Sequence, residues 1–180
     1  MNSPMLPVAP RLAEHAGNPT LALPEQYNAA AFVDGPLGRG WGARVAIRTR
    51  DGDTTYAQLA ELTNRAGNGL RSLGVEMEQR VGVLLYDSPA LAATFFGAIK
   101  IGAVPVVLNT YLRPQDYLYM LNDSRARVLV VDEAIWRQIA GLRRELTYLR
   151  HVVIVRAKEA EGASTGTIDF ERMLAGSGPA

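Results

Sequence analysis

Two adjoining stretches decide the fold: Val81-Gly-Val-Leu-Leu-Tyr86, and the run from Ser88-Pro89 through Leu91 to Leu108. The first is short and almost wholly apolar, the pattern of a strand buried on both faces of a parallel sheet. Ser88 then supplies a helix N-cap, and Pro89 a first helical residue with its φ already set. The apolar run that follows is long enough to suggest a membrane span. Lys100, Gly102 and Pro105 interrupt it, so it reads instead as a helix to about Ile101 followed by the strand Val104-Pro-Val-Val-Leu108. Pro105 stands near the start of that strand, where a missing N–H donor is tolerated.

The same alternation continues downstream. Pro114 to Asn122 reads as a helix with Tyr117, Leu118 and Leu121 on its apolar face. Val128-Leu-Val-Val131 is a third strand, Glu133 to Leu146 a helix, and Val152-Val-Ile-Val155 a fourth strand. Strands and helices at this spacing predict an α/β fold, a mostly parallel sheet with helices on both faces and right-handed crossovers.

Upstream, Arg44 to Arg50 alternates apolar and polar residues, as a half-buried strand does. Asp51-Gly52 signals a hairpin returning through Asp53 to Thr55. Thr55 with Gln58 three residues later forms a capping-box pattern. The helix it opens carries Leu59, Leu62, Ala66, Leu70 and Leu73 on one stripe and stops at Gly74. Gly67 and Gly69 weaken that helix and open it to the close approach of another backbone. Tyr27 to Val33 is expected to be a short helix and Gly35 to Gly42 a loop.

Residues 1–24 carry Pro4, Pro7, Pro10, Pro19 and Pro24 without periodicity and read as a flexible leader, while 176–180 read as a flexible tail. The body between them, 25–175, reads as one α/β segment. The full length of 180 residues suits one domain, burying roughly 70% of the surface its unfolded chain exposes.

Composition excludes several classes of function. Nineteen basic and eighteen acidic residues give a net charge of +1, so no global field draws in nucleic acid or a membrane. The absence of cysteine removes thiolate, disulfide and cysteine–metal chemistry. The N-terminus lacks the apolar core of a signal peptide, making the cytoplasm the default compartment.

Candidate reacting groups are few. His15 lies in the leader and His151 leads into a strand, neither with a catalytic partner at a useful spacing. Asp51 and Asp53 are explained by the turn between them. The glycines of Gly35 to Gly42 precede a strand, whereas a dinucleotide fingerprint must follow one. Ser164-Thr-Gly-Thr167 could present N–H groups and hydroxyls to phosphate, but it runs into Asp169 and Glu171 and lacks the cation that transfer chemistry needs. Lys100 complements a helix dipole. Arg125 and Arg127 form a small basic edge, expected to pair with Asp123 or neighbouring carboxylates. No catalytic, cofactor-binding or metal residue is assigned.

Thr54-Thr-Tyr-Ala-Gln-Leu59, Leu73-Gly-Val75 and Phe96-Gly-Ala-Ile-Lys-Ile-Gly-Ala-Val-Pro-Val-Val-Leu-Asn109 together resemble the opening of the adenylate-forming acyl-CoA synthetase superfamily. Pro24-Glu-Gln-Tyr-Asn-Ala-Ala30 and Asp116 to Val131 are similar to benzoate–CoA ligases. The resemblance covers about residues 24–175. It implies an enzyme that activates an aromatic carboxylate with ATP and Mg²⁺ to an acyl-adenylate, from which the CoA thiol displaces AMP. It also implies that the phosphate loop ending in Pro-Lys, the ribose-binding acid and the C-terminal-domain lysine come later than this chain reaches. The chain alone is therefore expected to need no cofactor and to be inactive. Its expected partner is the remainder of the ligase or a complementary chain; homo-oligomer formation stays open. The alternative is a non-catalytic α/β binding or assembly module, or one half of a split ligase.

Overall fold

The computed structural model describes residues 27–155 and 166–179, with the backbone pairing of Leu12–Ala13 and Thr20–Leu21. In chain order the strands are β1 (Leu12–Ala13), β2 (Thr20–Leu21), β3 (Val45–Thr49), β4 (Gly52–Thr55), β5 (Arg80–Leu84), β6 (Val104–Val107), β7 (Val128–Asp132), β8 (His151–Val155) and β9 (Ile168–Asp169). The helices are α1 (Ala31–Gly38), α2 (Tyr56–Ser72), α3 (Pro89–Lys100), α4 (Pro114–Asp123), α5 (Glu133–Ile139) and α6 (Phe170–Ala175).

The apolar strands form one five-stranded sheet in the order β6-β5-β7-β8-β9, with every pairing parallel. Alternation along each strand divides the core in two. Val81, Val83, Val128, Val130 and Val153 pack under α2, α3 and α6 with Ala66, Leu70, Ala98 and Phe170. Leu84, Leu129, Val131, Val152 and Ile154 pack on the other face with Tyr117 and Leu121 of α4 and Ile135, Trp136 and Ile139 of α5. The expected sheet with helices on both faces is therefore present. No helix among the described residues is long and apolar enough to cross a membrane, and the run from Leu91 to Leu108 resolves into α3 and β6.

Local signals act as their chemistry predicts. The Thr55 hydroxyl accepts from Gln58 N at 3.3 Å, and the Gln58 carboxamide accepts from Thr55 N at 2.8 Å, closing a capping box at α2. The Ser88 hydroxyl accepts from Leu91 N at 3.3 Å, with Pro89 leading α3. Gly74 takes φ +78° where α2 stops. The backbone approach expected beside Gly67 comes from α3: a Cβ on Gly67 would lie 2.9 Å from Gly97 O, and one on Gly97 would lie 2.8 Å from Gly67 N. Gly69 faces a side chain instead, that of Met173.

Three expectations need correction. The helix expected over Tyr27–Val33 instead spans Ala31–Gly38 and includes Pro36, so half of the expected loop is helical. Asn28 causes the shift: its side-chain oxygen accepts from Ala30 N at 2.9 Å while its amide donates to Ile99 O at 3.1 Å, fixing a turn ahead of the helix. Asp34 then anchors that helix through a 2.6 Å ion pair with Lys100. The helix expected over Glu133–Leu146 ends at Ile139 and tightens into a 3-10 segment at Ala140–Arg144. Gly141 lies in that segment, and the Asn122 carboxamide ties the chain beyond it, donating to Glu145 O and accepting from Thr147 N. The fifth strand, β9, has two residues and no apolar run to betray it.

The leader at 1–24 lies outside the described residues apart from the β1–β2 pairing. Near the other end, Asn64 and Asn68 of α2 donate to Pro179 O and Gly178 O at 2.8 and 2.7 Å, and the Ser177 hydroxyl donates to Met173 O.

Candidate functional site

Strand order locates the candidate site. The chain passes from β5 to β6 on one side, then crosses back over β5 to β7 through α4 on the other face. The crevice at the carboxyl ends of β5 and β7 is thus the switch point of the sheet, where open α/β sheets bind their ligands. Tyr86, Asp87 and Ser88 leave β5 there, Asn109 to Tyr111 leave β6, and Asp132 and Glu133 join β7 to α5.

Asp132 Oδ2 accepts from Tyr86 N at 2.6 Å, tying the two strand ends together across the crevice. Burial raises the Asp132 pKa above the ordinary carboxylate value, and the Tyr86 N–H, which favours the charged form, only partly opposes it. Beside it, Glu133 is buried: its Oε1 accepts from Arg137 Nη2 at 3.1 Å, while its Oε2 has no hydrogen-bond partner among the described residues. Ser88 closes the turn after β5, donating to Tyr86 O at 3.0 Å. On the β6 side, the Tyr117 hydroxyl donates to Asn109 O at 2.9 Å and accepts from Leu112 N at 3.1 Å, holding the loop around the exposed Tyr111.

Among the described residues, none of the candidate reacting groups considered from sequence joins this crevice. His151 begins β8 at the opposite end of the sheet. Asp53 takes part in an exposed pair with Arg48 at 3.5 Å. The Gly35–Gly42 segment ends α1 and leads to β3, with Arg39 and Arg44 flanking Trp41 at 5.3 and 4.6 Å from its ring. Lys100 sits in the last turn of α3, as expected, and also pairs with Asp34. Ser164 and Thr165 lie outside the described residues, as does His15. Asp132, Glu133 and Tyr86 escaped sequence reading because they merely end an apolar strand, open a helix or follow a strand. Only the strand order makes neighbours of residues 46 positions apart.

A separate cavity of about 460 Å³ lies between β4, α2 and α6, lined among others by Asp53, Gln58, Glu61, Arg65 and Glu171. Its one cation is committed: Arg65 donates to Glu61 at 2.8 and 3.1 Å. Among the described residues no nucleophile–base pair lines it.

Comparison with known proteins fits this geometry. Residues 37–175 match the family described as AMP-binding enzyme. The chain belongs to that family. It is 36% identical to a benzoate–CoA ligase of Thauera aromatica over 170 residues, covering 89% of this chain and 32% of the relative. With a 3-hydroxybenzoate/4-hydroxybenzoate–CoA ligase of the same organism it shares 41% over 156 residues, covering 84% and 29%. Among solved structures, an anthranilate CoA ligase in complex with anthranoyl-AMP superposes with TM-score 0.82 at 34% identity, covering 88% of this chain and 30% of that one. A benzoate CoA ligase from Burkholderia xenovorans LB400 gives TM-score 0.72 at 31% identity, covering 86% and 29%. The fold is therefore that of the N-terminal part of adenylate-forming enzymes, and this chain spans about 30% of the length of the relatives it matches.

The cofactors that such a family implies, ATP with Mg²⁺ and CoA, do not fit the switch-point crevice as these residues build it. Among the described residues, the elements that frame it carry the carboxylates of Asp87, Asp132 and Glu133, while Arg137 is held by Glu133 and Arg113 by Asp116. A carboxylate rim repels a triphosphate unless a cation offsets it. Nor is there, among the described residues, a group of three or more His, Asp or Glu side chains able to hold a metal ion.

Proposed function

We propose that this chain is the scaffold portion of a benzoate–CoA ligase-like enzyme. In the whole enzyme an aromatic carboxylate would be adenylated by ATP with Mg²⁺ and then transferred to the thiol of CoA. This chain would contribute the folded layer against which the reacting segments assemble, and would be inactive alone. The observation that carries the reading is the switch-point crevice. It is built and braced by the Asp132–Tyr86 tie, yet among the described residues it is framed by carboxylates, with Arg113 and Arg137 already paired to Asp116 and Glu133. Identities of 36–41% to ligases acting on benzoate and hydroxybenzoates support the aromatic substrate class.

The partner in this reading is the rest of the ligase, in the same or a complementary polypeptide, and the compartment is the cytoplasm. The edge strand β6 favours a requirement for such a partner. Val104 and Val107 are 42% and 50% exposed on an unpaired edge, which isolated proteins normally cover or blunt with charge.

The test is pyrophosphate release from ATP, benzoate and CoA. The chain alone should give none; adding residues that complete the sequence of the Thauera benzoate–CoA ligase should restore turnover. Turnover by the chain alone would overturn the proposal.

A further inference from the structure

The amino end of the sheet, opposite the switch point, carries a row of arginines. Val81 stands in register with Val128, and Val128 with His151. The residues just before them are Arg80, Arg127 and Arg150, and the backbone ladder links these directly: Arg127 N donates to Arg80 O at 2.9 Å, and Arg150 N to Arg127 O at 2.8 Å. Adjacent strands lie about 4.8 Å apart, so the three α-carbons span about 10 Å. Val81 and Val128 point into the core under α2 and α3, so the preceding residues project to the α4–α5 face. Arg143 joins them there, its Nη2 donating to Arg150 O at 3.1 Å.

Among the described residues no carboxylate forms an ion pair with these arginines. The pairing of Arg125 and Arg127 with Asp123 or another carboxylate, expected from sequence, does not form among the described residues. Arg125 instead lies over the Tyr148 ring at 5.6 Å. Arg80 Nη1 donates to a backbone carbonyl, Glu78 O, at 3.2 Å. Glu78, Asp123 and Glu145 are exposed at this end of the molecule, but none comes within ion-pair distance of these arginines. Strand register sets the three α-carbons about 5 Å apart, so three like charges are anchored close together, and an anion bridging them relieves their repulsion. The planar guanidinium fork matches phosphate oxygens two at a time.

We propose that Arg80, Arg127 and Arg150 bind a compact multivalent phosphate anion, one that presents at least two phosphate groups within the span of the row. The shortness of the row and the chain's net charge of +1 favour a compact ligand over an extended nucleic-acid backbone, which needs a longer basic stripe. This inference stands apart from the ligase reading, since it uses the other end of the sheet.

The probe is sodium tripolyphosphate, titrated calorimetrically into the 180-residue chain at low salt. Wild type should bind at one site, with affinity falling as salt is added. Arg80→Gln with Arg150→Gln, both at exposed positions, should weaken binding about tenfold or more, while the control Arg39→Gln with Arg44→Gln should leave it unchanged. Circular dichroism checks that each variant is folded. Unchanged affinity in the Arg80/Arg150 variant would overturn the proposal, as would an equal loss in the Arg39/Arg44 control. Phosphatidylglycerol vesicles and a single-stranded oligonucleotide complete the set. Binding of either through these arginines that tripolyphosphate cannot displace would reassign the row to a membrane or a nucleic acid.

Discussion

The contact between α2 and α3 offers a sharp test of how this layer is held together. At Gly97 an added Cβ would stand 2.8 Å from Gly67 N, 2.8 Å from Thr63 O and 3.2 Å from Ala66 Cβ. The two nearest atoms are backbone of the facing helix, which has no flexible end to swing aside. Gly97→Ala gains about 1 kcal/mol of intrinsic helix propensity. Against that stands an overpacking cost of about 1–3 kcal/mol when a methyl is forced into a filled contact. Because both closest neighbours are backbone, the upper part of that range applies, and the net destabilisation should be about 1–2 kcal/mol. In a chain of this size that corresponds to a fall in Tm of roughly 2–8 °C. Thermal unfolding followed by circular dichroism reads it directly. Gly141→Ala is the control, with nothing within 4 Å of its added Cβ, and should leave Tm unchanged or slightly raised. Gly67→Ala meets the same contact from the other side, so the double variant should lose less than the two single losses added together. If Gly97→Ala were as stable as wild type, the helices would not be held at backbone distance and the account of this layer would fail.

Two further outcomes follow from single interactions. The Asp132 pKa is raised in the folded state by burial, so its ionised form costs stability. That cost is present above the folded pKa and disappears as pH falls towards the unfolded value. Asp132→Asn keeps an oxygen to accept from Tyr86 N, and should gain stability relative to wild type near neutral pH, with the gain shrinking as pH falls. Urea unfolding across that range tests it, and a difference independent of pH would refute it. The Lys100–Asp34 pair, at 2.6 Å with side chains 26% and 22% exposed, should show a coupling of about 1–2 kcal/mol in a Lys100→Met, Asp34→Asn double-mutant cycle. Additive losses would show that each residue acts alone.

Much of the α/β layer is readable from local pattern because local chemistry and tertiary packing agree there. The Thr55 and Ser88 caps, the Gly74 stop and the apolar strands β5, β7 and β8 are specified within a few residues of themselves. Where structure departs from local pattern, distant partners are responsible. Asn28 reaches Ile99, 71 residues away, to set the start of α1. Asn122 reaches Glu145 and Thr147 beyond the shortened α5. The two residues of β9 become a strand only by pairing with β8. The candidate site was the least readable part: Asp132 and Tyr86 carry no motif, and Arg80, Arg127 and Arg150 are scattered along the chain.

The amino-acid sequence by itself determined the element types, the parallel α/β class and the family likeness, because these rest on periodicity, caps and contiguous motifs. The tertiary structure alone decided strand order and register. Those fixed which strand ends share a crevice, which glycines let α2 and α3 touch, and which arginines stand in a row. Register acts over distances in space that are unrelated to separation along the chain. The acidic end and the basic end of one sheet therefore come into view only once the strands are laid side by side.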